Sequence, residues 1–186
     1  MEFNIKDRTH FLCVTGSHAF GTAIDSSDID LKGYATPPIE FIITPYKNFE
    51  QNDQKYKLKE YPFNVEVAWY TDDNNILFNP NEELDQSIYA LKKFFKLASD
   101  CNPNIMSILF AHQSDILHSD EIADELRKHK YEFLSAKVRH TYSGYAISQL
   151  KRIRSHRGWL LHPPDHKPKR AEFGLPETST IPADQR

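Results

Sequence analysis

Two aspartates, Asp28 and Asp30, sit in the run DIDLKGYA, which alternates polar and apolar residues as a half-buried strand does. Residues i and i+2 of a strand project to the same side, so both carboxylates share one face while Ile29 and Leu31 turn to the core. Carboxylates held together repel each other and call for a cation. Hard oxygen donors of this kind suit Mg²⁺ or Mn²⁺, with substrate phosphates completing the shell. Upstream, Gly16-Ser17 directly follows the apolar run HFLCV. Glycine allows a tight turn and close backbone approach to a phosphate, and Ser17 adds a hydroxyl donor. Gly21 and Thr22 continue the small-residue loop, where bare N–H groups can face a phosphate. Asp-x-Asp and Gly-Ser are each common. The informative feature is their order: strand, Gly-Ser turn, Gly-Thr, Ser-Asp-x-Asp, then Gly33.

The elements that would position these residues follow from periodicity. His10–Val14 and 28–35 read as strands, the second closed by Pro37-Pro38. Residues 47–61 read as a polar surface excursion, and 63–70 (FNVEVAWY) as another strand. A helix is expected over 86–99, with Ile88, Leu91, Phe95 and Ala98 on one stripe and Asp85 available as its cap. Asn102-Pro103 starts a second helix, as N-cap and N1, just past Cys101. A third opens at Ser119 and runs to about Lys130, and a fourth covers about 136–154. Residues 163–186 carry five prolines and read as an extended arm or poorly ordered tail. The expected organisation is an α/β (α+β) fold, a small mixed sheet followed by helices. Its parts are a core with the metal site over 1–115, a helical basic extension over 116–162, and the arm over 163–186.

Composition excludes several classes. With 186 residues, 39% hydrophobic and 12% aromatic, the chain can bury a core. It has no run of apolar residues long enough for a membrane helix and no signal-like N-terminus. Its two cysteines read as free thiols of a reducing cytoplasm. The net charge of −3 hides a division: residues 1–136 hold 13 basic and 22 acidic residues, whereas 137–170 hold nine basic residues and one acid. An acidic part beside a basic part suits an enzyme that binds metal in one place and a polyanion in another. The basic segment 137–157 contains Arg139, Lys151, Arg152, Arg154 and Arg157, interleaved with Tyr142 and Tyr145 and followed by Trp159. That mixture would suit RNA or another nucleic acid, a nucleotide triphosphate, or plain solvation of a helix. His18 reads as a variable loop residue. His156, His162 and His166 lack zinc-site spacing, and Ser17 lacks the Gly-x-Ser-x-Gly elbow of a hydrolase nucleophile.

The string GSHAFGTAIDSSDIDLKGYATPP resembles the signature of the DNA polymerase beta-like nucleotidyltransferase superfamily. With IYALKKFFKLASDCNPNIMSILF, FLSAKVRHTYSGYAISQLKRI, HRGWLLHPP and FGLP, it more narrowly resembles the RNA repair pathway DNA polymerase beta family. Residues 47–84 match least. The resemblance implies Mg²⁺- or Mn²⁺-dependent transfer of a nucleotidyl group from an NTP to an acceptor hydroxyl, with RNA ends suggested as acceptor. It implies metal binding by Asp28 and Asp30, and phosphate binding at Gly16, Ser17, Gly21 and Thr22. It also implies a third carboxylate on a later strand. Asp85 is preferred, with Glu66 as the alternative, and Lys92 and Lys93 are candidates to reach a triphosphate. Protein AMP-transfer and a non-catalytic nucleotide- or partner-binding module remain open. The family usually continues past such a sequence into further helices, so slow turnover is expected if the chain is a fragment.

Overall fold

In the computed structural model the described residues are 3–24, 27–57, 60–63, 83–162, 166 and 169–175. Residues 1–142 and 143–186 form two compact units. The first is built on a five-stranded mixed sheet in the order β3-β4-β2-β1-β5. Its strands are β1 (Thr9–Thr15), β2 (Ile29–Ala35), β3 (Gln51–Lys57), β4 (Glu83–Ala90) and β5 (Ile116–Ser119). β1 lies antiparallel to both β2 and β5, β3 lies antiparallel to β4, and the central β2–β4 pair is parallel. This is an α/β fold, a mixed sheet accompanied by helices, as expected.

Alternation along the strands separates two cores. Phe11, Cys13 and Tyr34 face the helices that follow the short α1 (Gly16–Ala19) and α2 (Glu40–Ile43), namely α3 (Leu91–Ser99), α4 (Pro103–Leu109) and α5 (Glu121–Lys128), which contribute Phe94, Ile105, Ile108 and Leu126. Phe11 stacks on Tyr34 at 5.4 Å, Tyr34 meets Phe94 at 4.4 Å, and the Arg127 guanidinium covers Phe11. Each fully buried side chain of this size contributes about 1.5–3 kcal/mol. Burial pushes the Cys13 thiol up to about 12, as an inert thiol requires. Cys101 is buried as well, and both cysteines are free. Leu12, Val14, Leu31, Leu84 and Ile88 face the other way. There Gln86 is sealed in with Asn52 and accepts from the Tyr61 hydroxyl.

Several expectations change here. The helix expected over 86–99 begins only at Leu91, because Leu84, Gln86, Ile88 and Ala90 bury alternately between β2 and β3. Asp85 is therefore a strand residue, and α3 takes Ala90 as its N-cap. The polar excursion at 47–61 contains β3, whose sequence QNDQKYK lacks the apolar alternation that betrays a strand. The sheet also draws its fifth strand from 116–119, beyond residue 115. The strand expected over 63–70 lies outside the described residues from 64 onward, and so does Glu66. Most of the arm, apart from a single turn over Arg170–Phe173, lies outside them too.

Asn102 caps α4 by accepting from Asn104 N at 3.0 Å, with Pro103 in the first turn. Cys101 ends α3 in the left-handed region at φ 51. Its N–H donates to Ala98 O while Asn102 N–H donates to Leu97 O, which is the paired closure usually given to glycine. α5 is capped by Asp120 rather than Ser119, through Ala123 N at 3.0 Å. The longest helix, α6 (Lys137–Leu161), crosses the division between the units and outruns the expected 136–154. In the second unit it exposes Ile147, Leu150 and Ile153.

Asp120 ties α5 to the sheet. His10 Nδ1 lies 2.7 Å from its carboxylate, and His10 Nε2 lies 2.9 Å from Thr36 Oγ1. Desolvation pushes the Asp120 carboxyl up, but the His10 bond and the Ala123 and Ile122 amides outweigh it and hold the carboxyl below its ordinary value. A depressed folded value means that this stabilisation is complete above the unfolded value of about 3.9 and is lost as pH falls through the folded one. Asp120→Ala is expected to cost about 1–2 kcal/mol at pH 7 in denaturant titrations. At pH 3 the deficit should shrink, because the wild type is then losing the same interaction. An unchanged deficit at pH 3 would remove the ionised carboxylate from the explanation.

Candidate active site

β1 ends at Thr15, and Gly16–Ala19 turns at once into a single helical turn, α1, at the end of the sheet. Gly16 has φ +68, and a Cβ built on it would stand 2.2 Å from Asp30 Oδ2. Any side chain here would displace that carboxylate, so glycine is needed both for the backbone and for the space above Asp30. The loop is stapled internally: Thr22 N donates to Ser17 O at 2.9 Å, as does the Thr22 hydroxyl at 3.4 Å, and Gly21 N donates to His18 O. The Thr22 hydroxyl thus closes the turn. Gly21 is exposed at φ +66 with open space around it. His18 Nε2 lies 3.4 Å from the Ser27 carbonyl, holding the turn against the approach to β2.

The central parallel pair supplies the acids. Asp30 and Asp85 are register partners on β2 and β4, so their side chains leave the same face of adjacent strands. Asp28 lies one residue ahead of β2 and is exposed. Burial, followed by repulsion from Asp28 and Asp85, raises the Asp30 carboxyl above its usual range despite the opposing charges of Lys32 and His18. That is the behaviour of a group short of positive charge. Asp85 Oδ1 is shut off from solvent, and the partner that the described residues give it is the Lys55 ammonium, 2.9 Å away. A buried carboxylate oxygen, an acid with a raised pKa and a glycine gap above it together fit a hard divalent cation better than a hydrogen-bonded structural cluster. Among the described residues, no three His, Cys, Asp or Glu side chains already converge as a finished metal site.

Two neighbours escaped the sequence reading. Glu83 stands two residues before Asp85 on the same face, and the Ile29–Leu84 register sets it level with Asp28. Glu83-x-Asp85 on β4 therefore lies alongside Asp28-x-Asp30 at the start of β2. The alternation of Glu83 and Asp85 around buried Leu84 was the available signal, masked by the helical reading of that segment. Lys55 is the other; nothing in a polar segment assigned to the surface pointed to it. Conversely, Lys92 and Lys93 do not join the acids. Lys93 is held by Glu50 and Gln51 beside Tyr89, about 13 Å along β4 from Asp85 at ~3.3 Å per residue. Lys92 lines a separate cavity of about 850 Å³ among Phe41, Phe49 and Lys96.

No helix among the described residues is long and apolar enough to cross a membrane. Over 136 residues the chain is 26% identical to a protein of Enterobacteria phage T4, an uncharacterized 38.9 kDa protein in the nrdC-mobD intergenic region. The alignment covers 72% of this chain and 35% of that protein, so the chain spans about a third of the length of this relative. The sequence profile of the RNA repair pathway DNA polymerase beta family matches residues 2–160. With the acidic pair, the glycine turn above it and the mixed sheet beneath, the chain belongs to that family.

Proposed function

We propose that the chain is a metal-dependent nucleotidyltransferase that moves a nucleotidyl group from an NTP to the terminal hydroxyl of an RNA and releases pyrophosphate. The observation that carries this reading is the in-register Asp30–Asp85 pair under the Cβ-free face of Gly16. Asp30 and Asp85 would hold Mg²⁺ or Mn²⁺, with Asp28 at the mouth. Bound there, such an ion would supply Lewis-acid charge to the α-phosphate and to the attacking and leaving oxygens. Gly16 and Ser17 would take the terminal phosphates through backbone N–H groups and the Ser17 hydroxyl. Arg139, Lys151, Arg152 and Arg154 of α6 have the charge to grip an RNA backbone.

The test is incubation with α-labelled NTP and Mg²⁺ in the presence of RNA or of total protein. Label is expected in RNA. Label in protein instead would make a protein hydroxyl the acceptor, and no label in either would reduce the chain to a binding module.

A further inference from the structure

The acidic pair has a cation of its own. Lys55 on β3 is the register partner of Asp85, which is in turn the partner of Asp30, so the three side chains form a row across one face of the sheet. The Lys55 ammonium rests 2.9 Å from Asp85 Oδ1, although most of its side chain is exposed. One step outward the register repeats the theme, with Lys57 paired to Glu83.

The ion pair is poorly explained as a structural tie. β3 is already fixed to β4 by seven paired positions, by the Ser87 Oγ donation to Asp53 at 2.7 Å, and by the buried Asn52–Gln86 contact. An exposed lysine pair adds little to such an assembly. Its residue type also fits a partner meant to be exchanged. Lysine is a compact point charge on a flexible stem, whereas the planar fork of arginine would grip the carboxylate bidentately and hold it.

We propose that Lys55 is the counter-ion of the acidic pair in the metal-free protein and, once divalent cations occupy the pair, turns to the phosphates of the bound nucleotide. The proposal rests on the metal-site reading above. Two consequences of opposite sign follow. Before nucleotide arrives, Lys55 competes with the incoming cation for Asp85. Afterwards it is a cation expelled beside a polyanion, on a flexible stem. Competition predicts tighter metal binding without the lysine, and phosphate contact predicts weaker nucleotide binding. A residue that only holds the sheet together would give neither combination.

The full chain should be titrated with Mn²⁺ alone by calorimetry, and then with a non-hydrolysable ATP analogue at saturating Mn²⁺, comparing wild type with Lys55→Gln, Lys55→Arg and Asp30→Asn. Lys55→Gln is expected to bind Mn²⁺ about two- to fivefold more tightly, the range of an exposed ion pair. It should bind the analogue about tenfold more weakly, as for one lost charge-assisted contact. Lys55→Arg, whose fork grips Asp85 more firmly, should bind Mn²⁺ more weakly than wild type. Unchanged or weaker Mn²⁺ binding by Lys55→Gln, or unchanged binding of the analogue, overturns the proposal. If Asp30→Asn binds Mn²⁺ like wild type, the metal-site reading itself fails. If Asp30→Asn loses Mn²⁺ while Lys55→Gln matches wild type throughout, only the role of Lys55 fails.

Discussion

Asp85→Asn and Asp30→Asn are each expected to lower nucleotidyl transfer by orders of magnitude while leaving the fold intact. An amide keeps the shape of the carboxylate but not the charge that recruits a hard cation, and one remaining carboxylate holds such an ion weakly. Asp85 lies inside β4 and caps no helix, so its replacement carries no capping cost and removes only the ion-pair partner of the exposed Lys55. For Asp30 the change in stability has the opposite sign to the change in activity. Its folded pKa is raised, so the ionised form is disfavoured in the fold. The resulting penalty is complete above the folded pKa and disappears as pH falls toward the unfolded value of about 3.9. Asp30→Asn should therefore melt at a higher temperature than wild type at pH 7 in metal-free buffer, and the gain should vanish near pH 3. The assay is single-turnover transfer with saturating Mg²⁺ beside a thermal melt. Normal turnover by Asp85→Asn together with a large loss for Glu66→Gln would move the third carboxylate to Glu66.

The largest effect on stability is expected from Gly33→Ala. Gly33 lies in the middle of β2 opposite Leu12, next to the register shift between Thr9 and Phe11. A Cβ at Gly33 would stand 2.0 Å from the Phe11 carbonyl oxygen and 3.2 Å from the Leu12 Cα. These atoms are backbone, and no rotamer change moves them, so β1 and β2 would have to separate. Both strands are central, and Phe11, Leu12, Leu31 and Tyr34 are fully buried on either side of the seam. Overpacking of side chains costs about 1–3 kcal/mol, and a clash between two backbones should reach at least the top of that range. Against a typical domain stability of about 5–15 kcal/mol, urea titration should show a loss of about 3 kcal/mol or more, or no folded protein. Gly21→Ala is the control: its Cβ would meet nothing within 4 Å, so only its φ of +66 is penalised. Equal losses at the two glycines would show that the close approach of β1 to β2 is not what Gly33 serves.

Sequence periodicity revealed some of this fold and hid the rest for identifiable reasons. β1 and β2 were legible because each carries its own signal, an apolar run and a clean alternation. The end of α3 and the start of α4 were legible because Asn102-Pro103 writes a helix start in local chemistry. β3 was hidden because QNDQKYK owes its strand conformation to pairing with β4 rather than to apolar alternation. β4 was misread because Ile88, Leu91 and Phe95 also fit a helical stripe, and the strand passes into α3 without a loop. Around the candidate site, spacing shows that Asp28 and Asp30 share a face and that a glycine turn precedes them. The pairing of Asp85 with Asp30, and the presence of Lys55 and Glu83 beside them, arise from register between distant segments, which a linear pattern does not encode.

The parallel join of β2 to β4 has a consequence for the order of folding. Asp30 and Asp85 meet only after residues 29–35 have found residues 83–90, and that pairing lies at the heart of the sheet. Local contacts form early, while pairings across long sequence separations must first overcome the entropy of closing the intervening loop. The two carboxylates, being of like charge, add their repulsion to that cost. The paired carboxylates are thus a late product of folding, absent from any collapsed intermediate that has helices but not the central strands. A nascent chain cannot assemble it until β4 has left the ribosome, and no short fragment of the sequence can carry it alone.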